Sequence, residues 1–172
     1  ESESGPNLMD HTEELANLAA LQRAQSFGPV IERVLPLKWK AGTPYCLDFE
    51  SGKLLAPPGR LTVVRLGWDQ WCAQSRVDAT AEEPKSGPVI WGQGCVFAKV
   101  ENARWDSIKP ARVVKELLRG GDVRTQAELP NCQAIPATFL FETRQGGRGV
   151  LQVVGFTEDL RGMKLRYKLV HP

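Results

Sequence analysis

The sequence predicts an α+β fold built on a mostly antiparallel sheet, and its last third carries the clearest pattern. Residues 138–170 read as three segments in which apolar and polar residues alternate, joined by two turns that contain glycine. This pattern is typical of a three-stranded antiparallel meander. Earlier segments with helical or hairpin patterns follow one another in irregular order, so we expect two to three helices packed on the sheet rather than a wound βαβ sheet.

Composition sets the scale of the fold. The chain has 172 residues, of which 42% are hydrophobic and 24% charged, as in ordinary globular proteins with one core. Residues 1–11 are polar and aperiodic and predict a flexible tail, followed by a single α+β domain at 12–172. The net charge of +2 does not indicate a polyanionic partner. The part of the chain from Lys99 onward is more basic, with 13 basic and 8 acidic residues.

The first 60 residues predict one helix, one strand and one hairpin. Thr12 can cap a helix that continues to about Ser26, because apolar residues recur at helical spacing after it. The sequence PVIERVL at 29–35 indicates a strand, and residues 36–44 indicate a loop that contains Trp39. A Ser51-Gly52 pair separates YCLDFE from KLLA, which predicts a hairpin.

The middle of the chain predicts shorter elements. Apolar residues at 61–66 indicate a strand, and residues 68–76 a short helix with Asp69 in its first turn. Residues 80–87 are polar and broken by Pro84 and Gly87, so we expect a loop. The apolar run at 89–100 is interrupted by two glycines and predicts either one bulged strand or two strands.

A second helix is predicted before the meander. Ser107 or Asp106 can cap it, Pro110 is tolerated in its first turn, and glycines 120–121 end it. A loop is expected at 122–136. The predicted core face of this helix consists of four aliphatic residues: Val113, Val114, Leu117 and Leu118.

Alternation assigns the two faces of the meander. In the last strand Lys164, Arg166 and Lys168 share a face, which we interpret as a solvated outer face; a groove that follows a phosphate backbone is the alternative. The opposite face is predicted to be buried, and it comprises Phe139, Phe141, Leu151, Val153, Leu165, Tyr167 and Leu169.

Five stretches together resemble a segment found in large bacterial regulatory proteins. That segment is appended to membrane-anchored chains that carry a β-lactam-sensor-type metallopeptidase domain or an extracytoplasmic-function sigma-factor region. The resemblance implies a regulatory context and an extracytoplasmic, periplasmic position. Four cysteines and a tryptophan-rich middle depart from the pattern. The stretches are FGPVIERVL (27–35), LDFESGKLLAPP (47–58), WDSIKPARVVKELL (105–118), IPATFLFETR (135–144) and GRGVLQVVGFTEDLRGMKLRYKLV (147–170).

The sequence contains no recognisable catalytic motif. Histidine occurs only at His11 and His171, near the two ends, so a Cys-His or Ser-His-Asp site is not indicated. The glycines of RQGGRG at 144–149 precede strand residues rather than a helix, which favours a hairpin turn over a phosphate loop. We therefore predict no catalytic residues and no cofactor.

Metal binding is also not predicted. The four cysteines, Cys46, Cys72, Cys95 and Cys132, form no C-x-x-C pair, and either disulfides or free buried thiols are compatible with their spacing. Asp48, Glu50 and Gly52 resemble the start of a calcium loop, but an EF-hand would need glycine where Lys53 stands and a carboxylate where Gly59 stands.

Tryptophan is the remaining functional indication. Most of the five indoles are expected to fill the core, yet Trp39 lies among Pro, Gly and polar residues, and Trp68 and Trp71 share a helix face. With the basic strand face, these give a candidate recognition surface: Trp39, Trp68, Trp71, Arg166 and Lys168.

The predicted function is that of a non-catalytic recognition or regulatory module within a longer bacterial protein. Its expected partner is a protein domain or a small extracellular ligand, and the absence of an apolar run of 18 residues predicts no membrane insertion. Two alternatives stay open. One is a hydrolase-like enzyme with a carboxylate site, and the other is a nucleic-acid-binding module that uses the basic C-terminal strand face.

Overall fold

The computed structural model describes residues 25–40, 42–59, 65–129 and 135–172. These ranges contain eleven strands and three helices, so the predicted α+β class with mostly antiparallel sheets is confirmed. The predicted tail at 1–11 and nearly all of the helix predicted from Thr12 lie outside the described residues. In chain order the strands are β1 Ser26–Phe27, β2 Ile31–Pro36, β3 Cys46–Leu47, β4 Leu54–Leu55, β5 Ala79–Glu82, β6 Val89–Gly92, β7 Val96–Val100, β8 Gln126–Glu128, β9 Ala137–Glu142, β10 Arg148–Phe156 and β11 Gly162–His171.

The strands form two antiparallel sheets. The first sheet has the order β1-β11-β10-β9-β7, and β2 also pairs with β11. The second sheet has the order β4-β3-β5-β6-β8. The meander of β9, β10 and β11 is confirmed, with Leu151 opposite both Phe139 and Tyr167. It forms the centre of the first sheet.

The main core lies between the two sheets. All seven residues predicted for the inner face of the meander are buried there, and they meet Leu47, Ala79 and Ile90 of the second sheet. Phe49 stacks on Phe141 with ring centroids 4.4 Å apart. The predicted register is therefore confirmed, since a shift by one residue would turn this set to the opposite face.

Three helices complete the described chain: α1 Arg65–Gln74, α2 Arg104–Ser107 and α3 Pro110–Leu118. Trp105, Val113 and Leu117 pack against Leu140 and Val150, so helices α2 and α3 cover the second face of the meander. This face was expected to be solvated. Successive residues of β9 and β10 are buried, as is typical of strands that are covered on both faces of a sheet.

Helix boundaries differ from the predicted ones. Helix α1 already includes Arg65 and Leu66, which were assigned to a strand; the rest of that predicted strand lies outside the described residues. Ser107 ends α2, where its hydroxyl donates to the Ala103 carbonyl, and does not cap α3. Leu118 was predicted to be buried but is 60% exposed.

Strand predictions failed where strands are short. Residues 80–87 were predicted to form a loop, but Ala79–Glu82 is strand β5, with Thr80 and Ala81 buried. Strand β8 interrupts the loop predicted at 122–136. The run at 89–100 is indeed two strands, yet β6 belongs to the second sheet and β7 to the first. Sheet pairing, rather than local composition, determines these elements.

Within the described ranges, none of the helices is both long enough and apolar enough to cross a bilayer.

Candidate functional site

Four aromatic side chains form a continuous row, called here the aromatic row: Trp39, Tyr45, Trp68 and Trp71. Trp39 stacks on Tyr45 with ring centroids 4.4 Å apart and an interplanar angle of 8°. The Tyr45 ring lies nearly parallel to the Trp68 ring, with centroids 6.4 Å apart, and the Trp68 and Trp71 ring centroids are 5.7 Å apart. The sequence placed Trp68 and Trp71 on one helix face, but it did not indicate that Trp39 and Tyr45 extend them into a row.

Three separate elements position the aromatic row. Trp39 lies in the loop after β2, Tyr45 directly precedes β3, and the other two rings lie on α1. Behind them Cys46, Cys72 and Val77 form a small buried cluster. Tyr45 is itself buried, which raises the pKa of its phenol to about 12. The inner part of the row is therefore a fixed support for the outer ring.

Trp39 is the exposed end of the aromatic row, with 38% of its surface accessible. A recess of about 380 Å³ adjoins it, and the residues that line it are Leu37, Lys38, Trp39, Glu82, Glu83 and Pro84. Pro84 also borders a second recess of about 300 Å³, which includes Trp91 and Glu128. Both recesses lie at the lower end of the size range of small-molecule sites.

The basic residues of the predicted recognition surface lie elsewhere and are occupied by contacts within the chain. The Arg166 guanidinium lies 4.4 Å from the centre of the Trp105 ring and donates to Gln152 Oε1. Lys168 Nζ donates to the Trp105 carbonyl at 2.7 Å and lies 4.4 Å from the centre of the Phe27 ring. Partial burial lowers the pKa of Lys168. Of the three basic residues on this strand face, Lys164 is the exposed one.

Three carboxylates converge at the C-terminal end of β3, whereas Tyr45 of the aromatic row precedes this strand. They are called here the acidic cluster: Asp48, Glu50 and Asp78. One oxygen from each lies within 4.8 Å of the others. Asp48 and Glu50 belong to the turn between β3 and β4, and Asp78 directly precedes β5. Gly52 in this turn has a φ of +68°, a conformation that favours glycine.

Hydrogen bonds fix the orientation of the acidic cluster. Asp48 Oδ1 accepts from the Glu50 amide at 3.0 Å, and Asp48 Oδ2 accepts from the Ser51 hydroxyl at 2.6 Å. The Phe49 amide donates to Asp78 Oδ2 at 2.8 Å. The Thr143 hydroxyl, from the turn between β9 and β10, donates to Glu50 Oε1 at 2.6 Å. The cluster thus connects the second sheet with the meander.

Two oxygens of the acidic cluster are buried without a hydrogen-bond partner among the described residues, Glu50 Oε2 and Asp78 Oδ1. Asp78 is 0% exposed. Burial raises the pKa of Asp78 to about 7, and the Glu50 and Asp48 carboxylates act in the same direction. Arg76 Nη2 lies 3.6 Å from Glu50 Oε2 and compensates part of this charge.

Sequence reasoning considered Asp48 and Glu50 but missed Asp78. The available indication was its position, since Asp78 lies directly between the apolar residues Val77 and Ala79. An acidic residue at such a place is buried only with a compensating partner.

The three described cysteines, Cys46, Cys72 and Cys95, are free and buried. Burial raises the pKa of Cys46 and Cys72 to about 12 and that of Cys95 well above its usual range. A thiol that stays protonated is a poor nucleophile and a poor metal ligand. Cys132 lies outside the described residues.

Comparison with protein families, curated proteins and solved structures finds no match for this chain. The resemblance to the bacterial regulatory segment therefore stays a prediction.

Proposed function

We propose that this chain is a non-catalytic recognition module that binds a peptide segment of a partner protein through the exposed end of the aromatic row. The stack of Trp39 on Tyr45 carries the proposal. A tryptophan ring that is exposed yet held from behind offers a large contact area with little loss of conformational entropy, which is the property of residues that dominate binding energy in protein interfaces.

The surroundings of Trp39 support an extended peptide rather than a compact ligand. The two recesses share Pro84, so the contact surface continues from Trp39 to a region that includes Trp91. Glu82, Glu83 and Glu128 line them together with one basic residue, Lys38, so the lining carries a net negative charge that a peptide with basic and apolar residues complements. The resemblance of the sequence to a bacterial regulatory segment supports placing this module in an extracytoplasmic signalling protein.

The hydrolase alternative has less support. A general acid and base must reach the substrate. The acidic cluster brings carboxylates together, but Asp48 is 6% exposed and Asp78 0% exposed. Their hydrogen bonds come from amides of the turn between β3 and β4 and not from groups that line an open cleft.

Trp39→Ala is expected to weaken peptide binding at least about 30-fold, because loss of an interface tryptophan typically costs about 2 kcal/mol or more. Peptides selected from a phage-displayed random library against the wild-type chain supply the probes. Their synthetic, fluorescently labelled forms are then titrated by anisotropy. Leu118→Ala, which alters an exposed leucine on α3, is the matched control and should bind as wild type.

Two results would count against the proposal. One is a library that yields no enriched peptide. The other is a set of peptides that bind Trp39→Ala as tightly as the wild type. A circular dichroism melt of each variant separates lost binding from lost folding.

The nucleic-acid alternative makes a separate prediction. We expect no binding of mixed-sequence DNA or RNA at physiological salt, because Arg166 and Lys168 are engaged with Trp105. Fluorescence titrations at two salt concentrations measure this, with Lys164→Glu as the variant that alters an exposed charge. Micromolar affinity with a log-log salt slope of roughly −3 to −6, reduced in Lys164→Glu, would instead support nucleic-acid binding.

A further inference from the structure

We propose that the acidic cluster is a calcium site, in which Asp48, Glu50 and Asp78 each supply a carboxylate oxygen. No calcium was expected from the sequence, because Asp48 and Glu50 alone form an incomplete ligand set. Asp78 changes this, since it brings a third carboxylate to within 4.8 Å of the other two.

The buried oxygens are the second observation that points to a ligand. Asp78 is fully buried, and its Oδ1 has no hydrogen-bond partner among the described residues. The same holds for Glu50 Oε2, which belongs to the same cluster. Buried polar atoms are almost always satisfied, and buried carboxylates are paired or coordinate a metal. A cation that both oxygens bind would satisfy them.

The charges near the cluster leave room for a cation. Arg76 is the basic residue that pairs with it, at 3.6 Å from Glu50 Oε2, and about half of its side chain is exposed. Arg33 Nε, another nearby cation, donates instead to the Gly52 carbonyl at 2.5 Å. Among the described residues, these contacts offset only part of the negative charge of three carboxylates. A divalent ion supplies the missing positive charge.

The donor atoms favour calcium. All three are carboxylate oxygens, which hard cations prefer, whereas zinc selects nitrogen and sulfur donors. The Cys95 thiol donates to the Val96 carbonyl at 3.8 Å and is not one of the three converging groups. Calcium accepts six to eight oxygens in irregular geometry, while magnesium demands a near-ideal octahedron. Glu50 is partly exposed, so water molecules can complete the coordination.

The hydrogen bonds described above leave the required oxygens free to bind. The Phe49 amide occupies Asp78 Oδ2 and Thr143 occupies Glu50 Oε1, so that Asp78 Oδ1 and Glu50 Oε2 remain. Asp48 Oδ1 accepts from the Glu50 and Ser51 amides, whereas Asp48 Oδ2 accepts only from the Ser51 hydroxyl and retains a lone pair. Calcium at this place would tie the β3–β4 turn to the start of β5.

Thermal unfolding in chelator and in calcium chloride tests the site. At a calcium concentration about 100 times the dissociation constant, the melting temperature of the wild type should rise by about 5–10 °C, since the ion binds only the folded state. Asp78→Asn should show no such rise, because its amide oxygen can keep accepting from the Phe49 amide but the side chain lacks the charge. Asp69→Asn, at an exposed residue of α1, should respond as wild type.

Terbium supplies a direct readout of binding. Terbium replaces calcium at oxygen sites, and Tyr167, whose hydroxyl donates to the Phe49 carbonyl at 3.0 Å, lies close enough to sensitise its emission. Sensitised emission that calcium displaces, that magnesium displaces poorly and that Asp78→Asn abolishes is the expected result. Should Asp78→Asn fail to fold, Glu50→Gln replaces it, because glutamine can still accept from Thr143.

An unchanged wild-type melting temperature in calcium, together with no displaceable terbium emission, would overturn the proposal. So would a calcium response that Asp78→Asn and Glu50→Gln both retain. If calcium does not stabilise the wild type and Asp78→Asn is more stable than the wild type in chelator, a proton shared between the carboxyl groups satisfies the buried oxygens, and the calcium site is refuted.

Discussion

Phe141→Ala is expected to lower the free energy of unfolding by about 3–5 kcal/mol, the range found for buried aromatic residues. Phe141 lies on β9 and is completely buried between the two sheets. Its ring stacks on Phe49 from the β3–β4 turn and meets the edge of Tyr167 on β11. Truncation therefore leaves a cavity at the point where both sheets and the turn of the acidic cluster meet.

Urea unfolding followed by circular dichroism measures this effect. Val154→Ala on β10 is the matched control, because Val154 is among the exposed large apolar residues and should change stability by no more than about 0.5 kcal/mol. A loss below about 1 kcal/mol for Phe141→Ala would contradict the register and the packing of the meander.

The second large effect is the pH dependence of stability that Asp78 causes in calcium-free protein. Burial raises the pKa of Asp78 from 3.8 to about 7 in the folded state. Because the folded-state pKa is the higher one, the unfolded chain loses this proton first, and folding becomes less favourable as pH rises from about 4 to about 7. The shift corresponds to about 4 kcal/mol, most of it lost by neutral pH.

Several neighbours face Asp78 and define the conditions of this experiment. The Glu50 and Asp48 carboxylates raise its pKa, whereas the Phe49 amide and Arg76 lower it. Cys95 and Tyr167 stay neutral below about pH 8, because burial raises the pKa of each above its usual value. Between about pH 4 and 8, the stability difference between wild type and Asp78→Asn therefore isolates the Asp78 carboxyl.

Urea titrations of both proteins in chelator, at unit pH intervals, give this difference. We expect Asp78→Asn to gain about 4 kcal/mol relative to wild type between about pH 4 and 8. Asp69→Asn, which alters an exposed carboxylate, should run parallel to wild type. Parallel curves for wild type and Asp78→Asn would mean that this carboxyl is not shielded from solvent in the folded protein.

Local pattern alone determined the meander and its buried face. In β9, β10 and β11 side chains alternate between the two sides of the sheet, so the apolar residues of each strand identify its inner face from the sequence. The same holds for α3, whose glycine stop and apolar positions Val113 and Leu117 are confirmed. These elements are long enough for periodicity to specify them.

Only the tertiary structure decided the short strands and the outer face of the meander. A strand such as β5 or β8, with four or three residues, has too few residues to show a period, and its partner strands lie far away in the chain. Trp105 covers the charged face because α2 and α3 fold back onto the sheet. As a result, Arg166 and Lys168 became internal contacts and not a free basic surface.

The sequence predicted part of one candidate site, and the tertiary structure was needed to identify the rest of both sites. The sequence singled out Trp39, Trp68 and Trp71, since exposed loops and helical spacing are local properties. It could not assemble the aromatic row or the acidic cluster, because Tyr45 reaches Trp68, and Asp48 reaches Asp78, only when β3 pairs with β5. Contacts between distant segments form because folding buries apolar surface. The spacing of residues within one segment does not indicate which other segments will pack against it.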